Sequence, residues 1–323
     1  MLHFRSFRNT DPPRIIEIWR SLAGQPGLLQ PISVDLVEQF VMSRLFFEPA
    51  GLVLAWEDDR PVGMAHAGFG PAEQDDWIST ELGTTCVLLT RPDCDREAVA
   101  AGLLSQCEEY LASRGAKVIY GGGIRPLNPF YLGLYGGSEL PGILESDTVA
   151  RGAFESGGYR EIDRTVIFEC DLHKFHAPVS RAQMQIRRQM IVHAMADPPG
   201  RNWWENCTLG NFDLTRYSLC PRLGGPSVAQ ALIRNMEPTA AFGGGRTAGL
   251  IELEVDPRYR RRGLVTFLLT EIFHQISRQG IIKVEVQTMR NNSAALALYR
   301  QLGLQEIDQG IIYRKESASP PLS

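Results

Sequence analysis

The chain contains 323 residues, of which 44% are hydrophobic and 22% charged, a composition typical of a globular protein of one or two domains. Its net charge of -4 argues against a general nucleic-acid binder, and no run of 18 apolar residues predicts a membrane-spanning helix. We therefore expect neither a nucleic acid nor a membrane as a partner.

The six cysteines lack the CxxC spacing of metal sites, and the histidines lack metal-ligand spacing, so we expect no bound metal. A chain of this length is also not expected to depend on disulfides, which favours a reducing, cytoplasmic setting. The residues from Met1 to Arg8 lack the apolar run of a signal peptide, which agrees with that expectation.

In chain order, the first predicted elements are a helix from about Pro13 to Leu22 and a hairpin that turns at Asp58-Asp59-Arg60. Residues 86–120 then show the pattern of a strand, a loop, an amphipathic helix, a glycine turn and a second strand. The second half repeats this pattern with a strand at 249–255, a helix at 263–279 and a strand at 281–288. A further helix pattern at 292–304 has its counterpart at 147–159.

The two halves align at an offset of 165 residues, which places Pro92 on Pro257 and Gly115 on Gly280. Because the matching pieces keep the same order, the repeat predicts an α/β fold of two tandem domains, each a twisted mixed β-sheet flanked by helices. The predicted limits are 1–175 for the first domain, 180–316 for the second and 317–323 for a flexible tail.

The sharpest local motif lies between the strand at 249–255 and the next helix, where Arg260, Arg261 and Arg262 precede Gly263. A helix start leaves several backbone N–H groups without partners and carries partial positive charge. Gly263 lets the backbone approach a ligand closely, and arginines pair with phosphate oxygens. The pattern therefore predicts a pyrophosphate-binding turn.

Arg260-x-x-Gly263-x-Val265 resembles the Gln/Arg-x-x-Gly-x-Gly/Ala motif with which the GCN5-related N-acetyltransferase (GNAT) family binds the pyrophosphate of coenzyme A, although Val265 replaces a small residue. The resemblance implies acetyl-CoA as co-substrate and a strand before the turn that diverges from its neighbour and pairs with the pantetheine arm. The tandem arrangement resembles that of mycothiol synthase-like proteins, but arrangement alone carries no substrate over. The coenzyme-binding residues predicted by this resemblance are Leu253, Glu254, Val255, Arg260, Arg261, Arg262, Gly263, Leu264, Val265, Thr266 and Asn292.

The helix at 292–304 resembles a second family motif, Asn-x-x-Ala-x-x-Leu-Tyr-x-x-x-Gly-Phe, with Leu304 in place of the Phe. By this resemblance, Tyr299 hydrogen-bonds the thioester sulfur and protonates the leaving thiolate. Protonation disfavours the reverse attack, because a thiolate is a better nucleophile than a thiol. Tyr299 as a packing residue is the alternative, and Asn292 either caps the helix or contacts the coenzyme.

An amine acceptor is protonated at neutral pH and must lose a proton before it attacks. Glu252 and Glu254 alternate with apolar residues, so they are expected on one face of the sheet. Glu285 lies in a stretch similar to the Glu-Val-Arg of family members that acetylate protein N-termini, but two residues farther from Tyr299 than there. We favour Glu285 as the general base, then Glu252; charges that simply face water, or a water relay without a dedicated base, are the alternatives.

The first half lacks the corresponding groups. At the offset of 165, Asp95 replaces Arg260 and Ala98 replaces Gly263, and carboxylates repel a pyrophosphate. Phe154 replaces the tyrosine of the second motif. We therefore predict a degenerate first domain that does not bind coenzyme A and that is structural or forms one wall of the acceptor site.

Together these features predict an acyl-CoA-dependent N-acyltransferase that transfers acetyl from acetyl-CoA to a primary amine. The sequence does not decide which amine is the acceptor. The candidates are an amino acid, an aminoglycoside-like or polyamine metabolite, an amino sugar–thiol conjugate and a protein N-terminus. A coenzyme A-binding regulatory protein without turnover is one alternative. An aminoacyl-tRNA-dependent ligase of paired GNAT-like domains is another alternative. The predicted pyrophosphate-binding turn and the net negative charge of the chain argue against it. We expect a monomer or a homodimer.

Overall fold

The computed structural model describes residues 1–73, 77–178, 180–236 and 245–316. The predicted flexible tail, 317–323, lies outside these described residues. The chain divides into two compact units. The first unit comprises Met1–Thr165, Arg201–Asn211 and the residues from Asp308 onward, and the second comprises Val166–Gly200 and Phe212–Ile307.

Both halves of the chain combine strands and helices. The first half contains β1 (Leu2–Ser6), α1 (Pro12–Arg20), α2 (Val34–Val37), a π-turn (Glu38–Met42), a 3-10 turn (Pro49–Gly51), β2 (Leu52–Glu57), β3 (Arg60–Pro71), β4 (Ile78–Thr90), α3 (Arg96–Ser113), β5 (Val118–Gly121), β6 (Ile143–Leu144), α4 (Thr148–Ser156) and β7 (Arg160–Asp171). The second half contains α5 (Arg181–Gln189), β8 (Met190–Ala196), α6 (Trp203–Leu209), β9 (Leu214–Pro221), β10 (Ala229–Asn235), β11 (Thr247–Val255), a 3-10 turn (Pro257–Tyr259), α7 (Leu264–Arg278), β12 (Lys283–Met289), α8 (Ser293–Gln301) and β13 (Gln305–Glu316).

The first unit contains a sheet in the order β1-β2-β3-β4-β5-β13, in which β4 and β5 are parallel. The predicted hairpin is confirmed, since Glu57 pairs with Arg60 and Asp58 takes the positive φ that a tight turn needs. Helix α3 packs against β3 and β4, and its buried residues Leu103 and Leu111 belong to the hydrophobic core of this unit.

The second unit contains a sheet in the order β7-β12-β11-β10-β9-β8, with β11 and β12 parallel and β8 to β11 antiparallel. Helix α7 buries an apolar stripe that includes Phe267, Leu268 and Ile272 in the core shared with β11 and β12. The strand, helix and strand predicted for this half are each present within two residues of the expected limits. The predicted α/β architecture with mixed sheets and flanking helices is confirmed.

The last strand of the chain belongs to the sheet of the first unit. Tyr313 of β13 pairs with Gly121 of β5, and Ile311 pairs with Ile143 of β6, all antiparallel. The sheet of the first unit therefore includes a strand that comes from the far end of the chain. The sequence carries no signal of this arrangement, and the domain limits drawn from the repeat remain a prediction.

Candidate active site

Strands β11 and β12 run side by side for only part of their length. Their parallel register runs from the Thr247–Lys283 pair to the Leu250–Val286 pair, and no pairing between them extends further within the described parts of the chain. β11 itself continues as far as Val255, paired on its other edge with β10. The β12 side of that last stretch can therefore pair with another extended chain.

A β-bulge occurs where the two strands separate. Leu232 of β10 pairs with Glu252, whereas the following residue, Ile233, pairs with Leu250. Ile251 is therefore an extra residue on β11. Bulges bend the strand that carries them, which accounts for the divergence of β11 from β12 at this point.

The three candidate carboxylates share one face of this sheet. The neighbours of Glu285 on β12 and the residue between Glu252 and Glu254, Leu253, all pack into the core with α7. Because side chains alternate along a strand, the three glutamates lie on the opposite face, as the alternation of Glu252 and Glu254 predicted. We call this face the polar face; its side chains include Gln230, Arg234, Glu252, Glu254, Glu285 and Gln287.

The turn after β11 is held by local hydrogen bonds. The Asp256 carboxylate accepts from the backbone N–H of Arg258 at 2.9 Å and pairs with the Arg258 guanidinium at 2.6 Å. Hydrogen bonding to the Arg258 side chain lowers the pKa of Asp256 to about 2. Arg261 and Gly263 then adopt left-handed φ angles of 58° and 71°. Alternation of right- and left-handed residues is the backbone conformation of anion-binding nests.

Helix α7 begins at Leu264 without a side-chain cap. The N–H of Phe267 donates to the carbonyl of Gly263 at 3.0 Å, so the N–H groups of residues 264–266 precede the first helical hydrogen bond. Gly263 and the three arginines at 260–262 are exposed. The start of this helix thus combines available backbone donors, partial positive charge and three cationic side chains.

Helix α5 supplies a support for this turn that sequence analysis missed. Gln183 Nε2 donates to the Gly263 carbonyl at 3.3 Å, and Arg187 forms an ion pair with Glu271 of α7. The spacing of Gln183 and Arg187, four residues apart and hence on one helix face, is the signal that could have indicated it. The buried side chain of Arg234, on the polar face, was also missed.

Helix α8 carries the second motif. Asn292 Oδ1 accepts from the backbone N–H of Ala295 at 3.2 Å, so Asn292 has the capping role that was one of its two expected roles. Tyr299 is 4% exposed, and its ring centroid lies 5.8 Å from that of Phe168 on β7. The acid role of Tyr299 and a coenzyme contact by Asn292 remain predictions.

The first unit differs at the equivalent positions. Asp95 caps α3 by accepting from the N–H of Ala98 at 3.1 Å, so one helix-start donor is occupied by the chain's own carboxylate. Phe154 is fully buried, and its ring stacks on that of Tyr313 at 5.7 Å. Both features favour the prediction that this unit does not bind the coenzyme, which stays a prediction.

The second unit thus has two features expected from the family resemblance: parallel strands that diverge at a bulge, and a helix that starts without a side-chain cap. Residues 203–304 match the Acetyltransferase (GNAT) family. This segment is a GNAT-family domain, and the chain as a whole has the fold of a tandem GNAT protein.

Sequence relatives and a solved structure agree with this assignment. A [ribosomal protein bS18]-alanine N-acetyltransferase from Salmonella typhimurium is 36% identical over 59 residues, 18% of this chain and 40% of that protein. The N-alpha-acetyltransferase RimI of Mycobacterium tuberculosis is 37% identical over 86 residues, 27% of this chain and 50% of that protein. The chain thus spans half or less of these relatives' lengths. A tandem GNAT protein from the clavulanic acid biosynthesis pathway has a TM-score of 0.66 at 14% identity, with 98% of this chain and 99% of that chain covered.

Two features are absent from the described residues. No helix among them is long and apolar enough to cross a membrane. No group of three or more His, Cys, Asp or Glu side chains within the described ranges has an arrangement that could hold a metal ion.

Proposed function

We propose that this protein is an acetyl-CoA-dependent N-acetyltransferase that transfers the acetyl group to a primary amine. The proposal rests on one observation, which is that two features occur together in the second unit. β11 diverges from β12 after Leu250, and α7 begins at Leu264, directly after the left-handed Gly263 and without a side-chain cap. An extended, amide-bearing ligand that ends in a diphosphate matches both features.

The residues of this region fit coenzyme A. The open edge of Leu253, Glu254 and Val255 would pair with the amides of the pantetheine arm. The N–H groups at the start of α7 would bind the pyrophosphate, because a helix start favours anions. Those groups belong to Gly263, Leu264, Val265 and Thr266, and the side chains of Arg260, Arg261 and Arg262 would add charge-assisted contacts.

Bound acetyl-CoA supplies a thioester whose carbonyl carbon accepts the amine nitrogen as the carbon–sulfur bond breaks. Tyr299 would give its phenolic proton to the departing sulfur, which prevents the thiolate from attacking the new amide. Its buried position beside Phe168 fixes the ring in one orientation. Tyr299 recovers a proton from solvent between turnovers.

The acceptor amine must lose one proton before attack and a second as the amide forms. Glu285 would take the first proton, with Glu252 on the same polar face as the alternative base. The second proton would be released to the solvent that reprotonates Tyr299. Both glutamates are half-buried, so an ammonium group near them would exchange water for a carboxylate partner. The resulting electrostatic attraction would bring the acceptor to this face.

The names of two relatives suggest which amine to test first. One is named for acetylation of an alanine of a ribosomal protein and the other as an N-alpha-acetyltransferase. We therefore propose a peptide α-amine as the leading acceptor, with small-molecule amines as the other class. The six unpaired cysteines fit a reducing cytoplasm, which we include in the proposal together with a monomeric or homodimeric state.

The test is acetyl transfer by the purified full-length chain. Acetyl-CoA would be offered with peptides that begin with alanine or another small residue, a polyamine and an amino sugar, and thiol release would be recorded together with the mass of each acceptor. The matched control is the same peptide with a blocked N-terminus. We expect a gain of one acetyl group on at least one free amine and none on the blocked peptide. Tight coenzyme binding without transfer to any amine would instead identify a binding protein.

A further inference from the structure

Arg234 of β10 is a buried cation on the polar face. Its side chain is 1% exposed, and its guanidinium carbon lies 4.8 Å from the ring centroid of Phe212. A cation–π contact contributes far less than the cost of removing an uncompensated guanidinium from water. A buried guanidinium therefore needs polar partners, of which carboxylates bind it most strongly, and the polar face carries three of them.

The strand register narrows the choice of carboxylate. Arg234 lies opposite Gly249 of β11, and Gly249 in turn lies opposite Glu285 of β12. With strands about 4.8 Å apart, the Cα atoms of Arg234 and Glu285 are separated by roughly 10 Å. Two extended side chains of this length can meet over that distance when the residue between them has no side chain. On the other side of Arg234 the register places Leu214, which offers no charge.

Glu252 is the competing partner. It lies opposite Leu232, the residue before Arg234 on the same face of β10, so it is a diagonal neighbour of Arg234. The bulge at Ile251 adds a residue between Gly249 and Glu252, which lengthens the path along β11 between them. The row of residues that runs across the strands from Arg234 through Gly249 to Glu285 contains no inserted residue.

We propose that Arg234 is a positioning residue whose guanidinium binds the Glu285 carboxylate across Gly249. This inference rests on the proposed function, because Glu285 is the base proposed there. The contact fixes the carboxylate in one orientation, in which it can accept a proton from the acceptor ammonium. A planar guanidinium can hold one carboxylate oxygen while the second faces the acceptor, which a compact ammonium does less well.

The first test measures the contact itself, without any assay of activity. Arg234→Met removes the charge at similar volume and should lower Tm by roughly 6–12 °C, because it leaves a carboxylate unpaired. The double variant Arg234→Met/Glu285→Gln should regain at least half of that loss. The matched control is Arg234→Met/Glu252→Gln, which should regain none. Should Arg234→Met alone fail to fold, a folded Arg234→Met/Glu285→Gln protein carries the same support.

Two results of that cycle would overturn the proposal. Recovery with Glu252→Gln instead of Glu285→Gln would assign Arg234 to the diagonal carboxylate. A Tm loss in both double variants at least as large as that of Arg234→Met alone would show that Arg234 is coupled to neither glutamate. Because thermal unfolding needs no acceptor, the cycle gives its answer even if the proposed acetyl transfer fails.

The second test separates positioning from stability. For an acceptor that the wild-type chain acetylates, Arg234→Met should lower kcat roughly 100-fold while the KM for acetyl-CoA stays within about twofold. Arg234→Lys should recover part of kcat, since it restores the charge without the planar geometry. Wild-type kcat in a folded Arg234→Met protein would contradict the proposal. A wild-type chain that transfers no acetyl group would contradict only the proposed function.

Discussion

The carbonyl oxygen of Gly263 accepts a hydrogen bond from Gln183 Nε2 at 3.3 Å, so the left-handed residue that opens α7 is tied to α5. The turn is thus held in its conformation by the protein itself. Donors that are already oriented bind an anion without the entropic cost of ordering them. A Cβ at Gly263 would meet Gln183 Nε2 only at 3.4 Å, so the positive φ is the stronger requirement for glycine here.

Gly263→Asp is expected to weaken acetyl-CoA binding by roughly 100-fold or more. A carboxylate at this position would lie near the proposed pyrophosphate site, and like charges about 4 Å apart repel by several kcal/mol near a protein surface. Isothermal titration calorimetry of acetyl-CoA with the two proteins measures the effect. Unchanged affinity would remove this turn from the coenzyme site.

The matched control for that change is Gly280→Asp, at the other end of the same helix. Gly280 has a φ of +86°, so a side chain there meets the same kind of backbone strain. Both variants should lose about 1–2 kcal/mol of stability. Only the variant at Gly263 should lose coenzyme binding, which separates the charge effect from the strain.

Tyr299→Phe is expected to lower kcat roughly 100-fold and to change acetyl-CoA affinity by no more than about twofold. Phenylalanine keeps the ring beside Phe168 and removes only the proposed proton donor. Steady-state acetyl transfer and calorimetry together measure the two quantities. Tyr217→Phe is the control, because Tyr217 is a buried tyrosine of the same core. Equal turnover in Tyr299→Phe and wild type would leave Tyr299 with a packing role alone.

The fold of the second unit followed from local patterns, because its strand, helix and strand each carry their own periodicity and turn residues. The position of strand β13 did not, since nothing in its sequence specifies β5 as its neighbour. Pairing between residues 121 and 313 is set by tertiary contacts across most of the chain. Such contacts have no local signature.

The residues of the candidate site were likewise predicted only in part from the sequence. The glycine, the arginines and the tyrosine motif were visible because each has a fixed spacing within one segment. Gln183 was not, because its role depends on the packing of α5 against the start of α7. Arg234 has no motif around it, and only the register through Gly249 places it in one row with Glu285. The bulge at Ile251 likewise has no sequence signal.

Asp11→Asn tests an acid-dependent contribution to the stability of the first unit. Burial by itself would raise the pKa of Asp11, but two hydrogen bonds from Arg5, at 2.7 and 2.8 Å, and one from the Arg8 N–H outweigh it and lower the pKa. The pKa of Asp11 is lower in the folded chain than in the unfolded chain, where it is about 3.9, so the ionised carboxylate stabilises the fold above about pH 3.9. This stabilisation is lost as the pH falls through the folded-state pKa.

The variant should therefore unfold more easily than wild type at pH 7, by about 2 kcal/mol, and the difference should shrink below about pH 4. Thermal unfolding between pH 7 and pH 2.5 measures it. Asp59→Asn, at an exposed turn position, is the control and should show little difference at any pH. A constant gap between Asp11→Asn and wild type over the whole range would contradict the assigned shift.

Tyr313→Ala tests whether the last strand stabilises the first unit. The Tyr313 ring stacks on Phe154, and its hydroxyl donates to Glu155 at 2.9 Å, so truncation removes packing and a hydrogen bond from α4. A cost of about 3–5 kcal/mol is expected for such a buried aromatic. Hydrogen exchange should show lost protection in α4 and β5, because these elements contact β13. Ile307→Ala, on the same strand but 52% exposed, is the control and should preserve that protection. Lost protection confined to β11 and α7 would instead show that β13 stabilises the other unit, against the strand pairing of Tyr313 with Gly121.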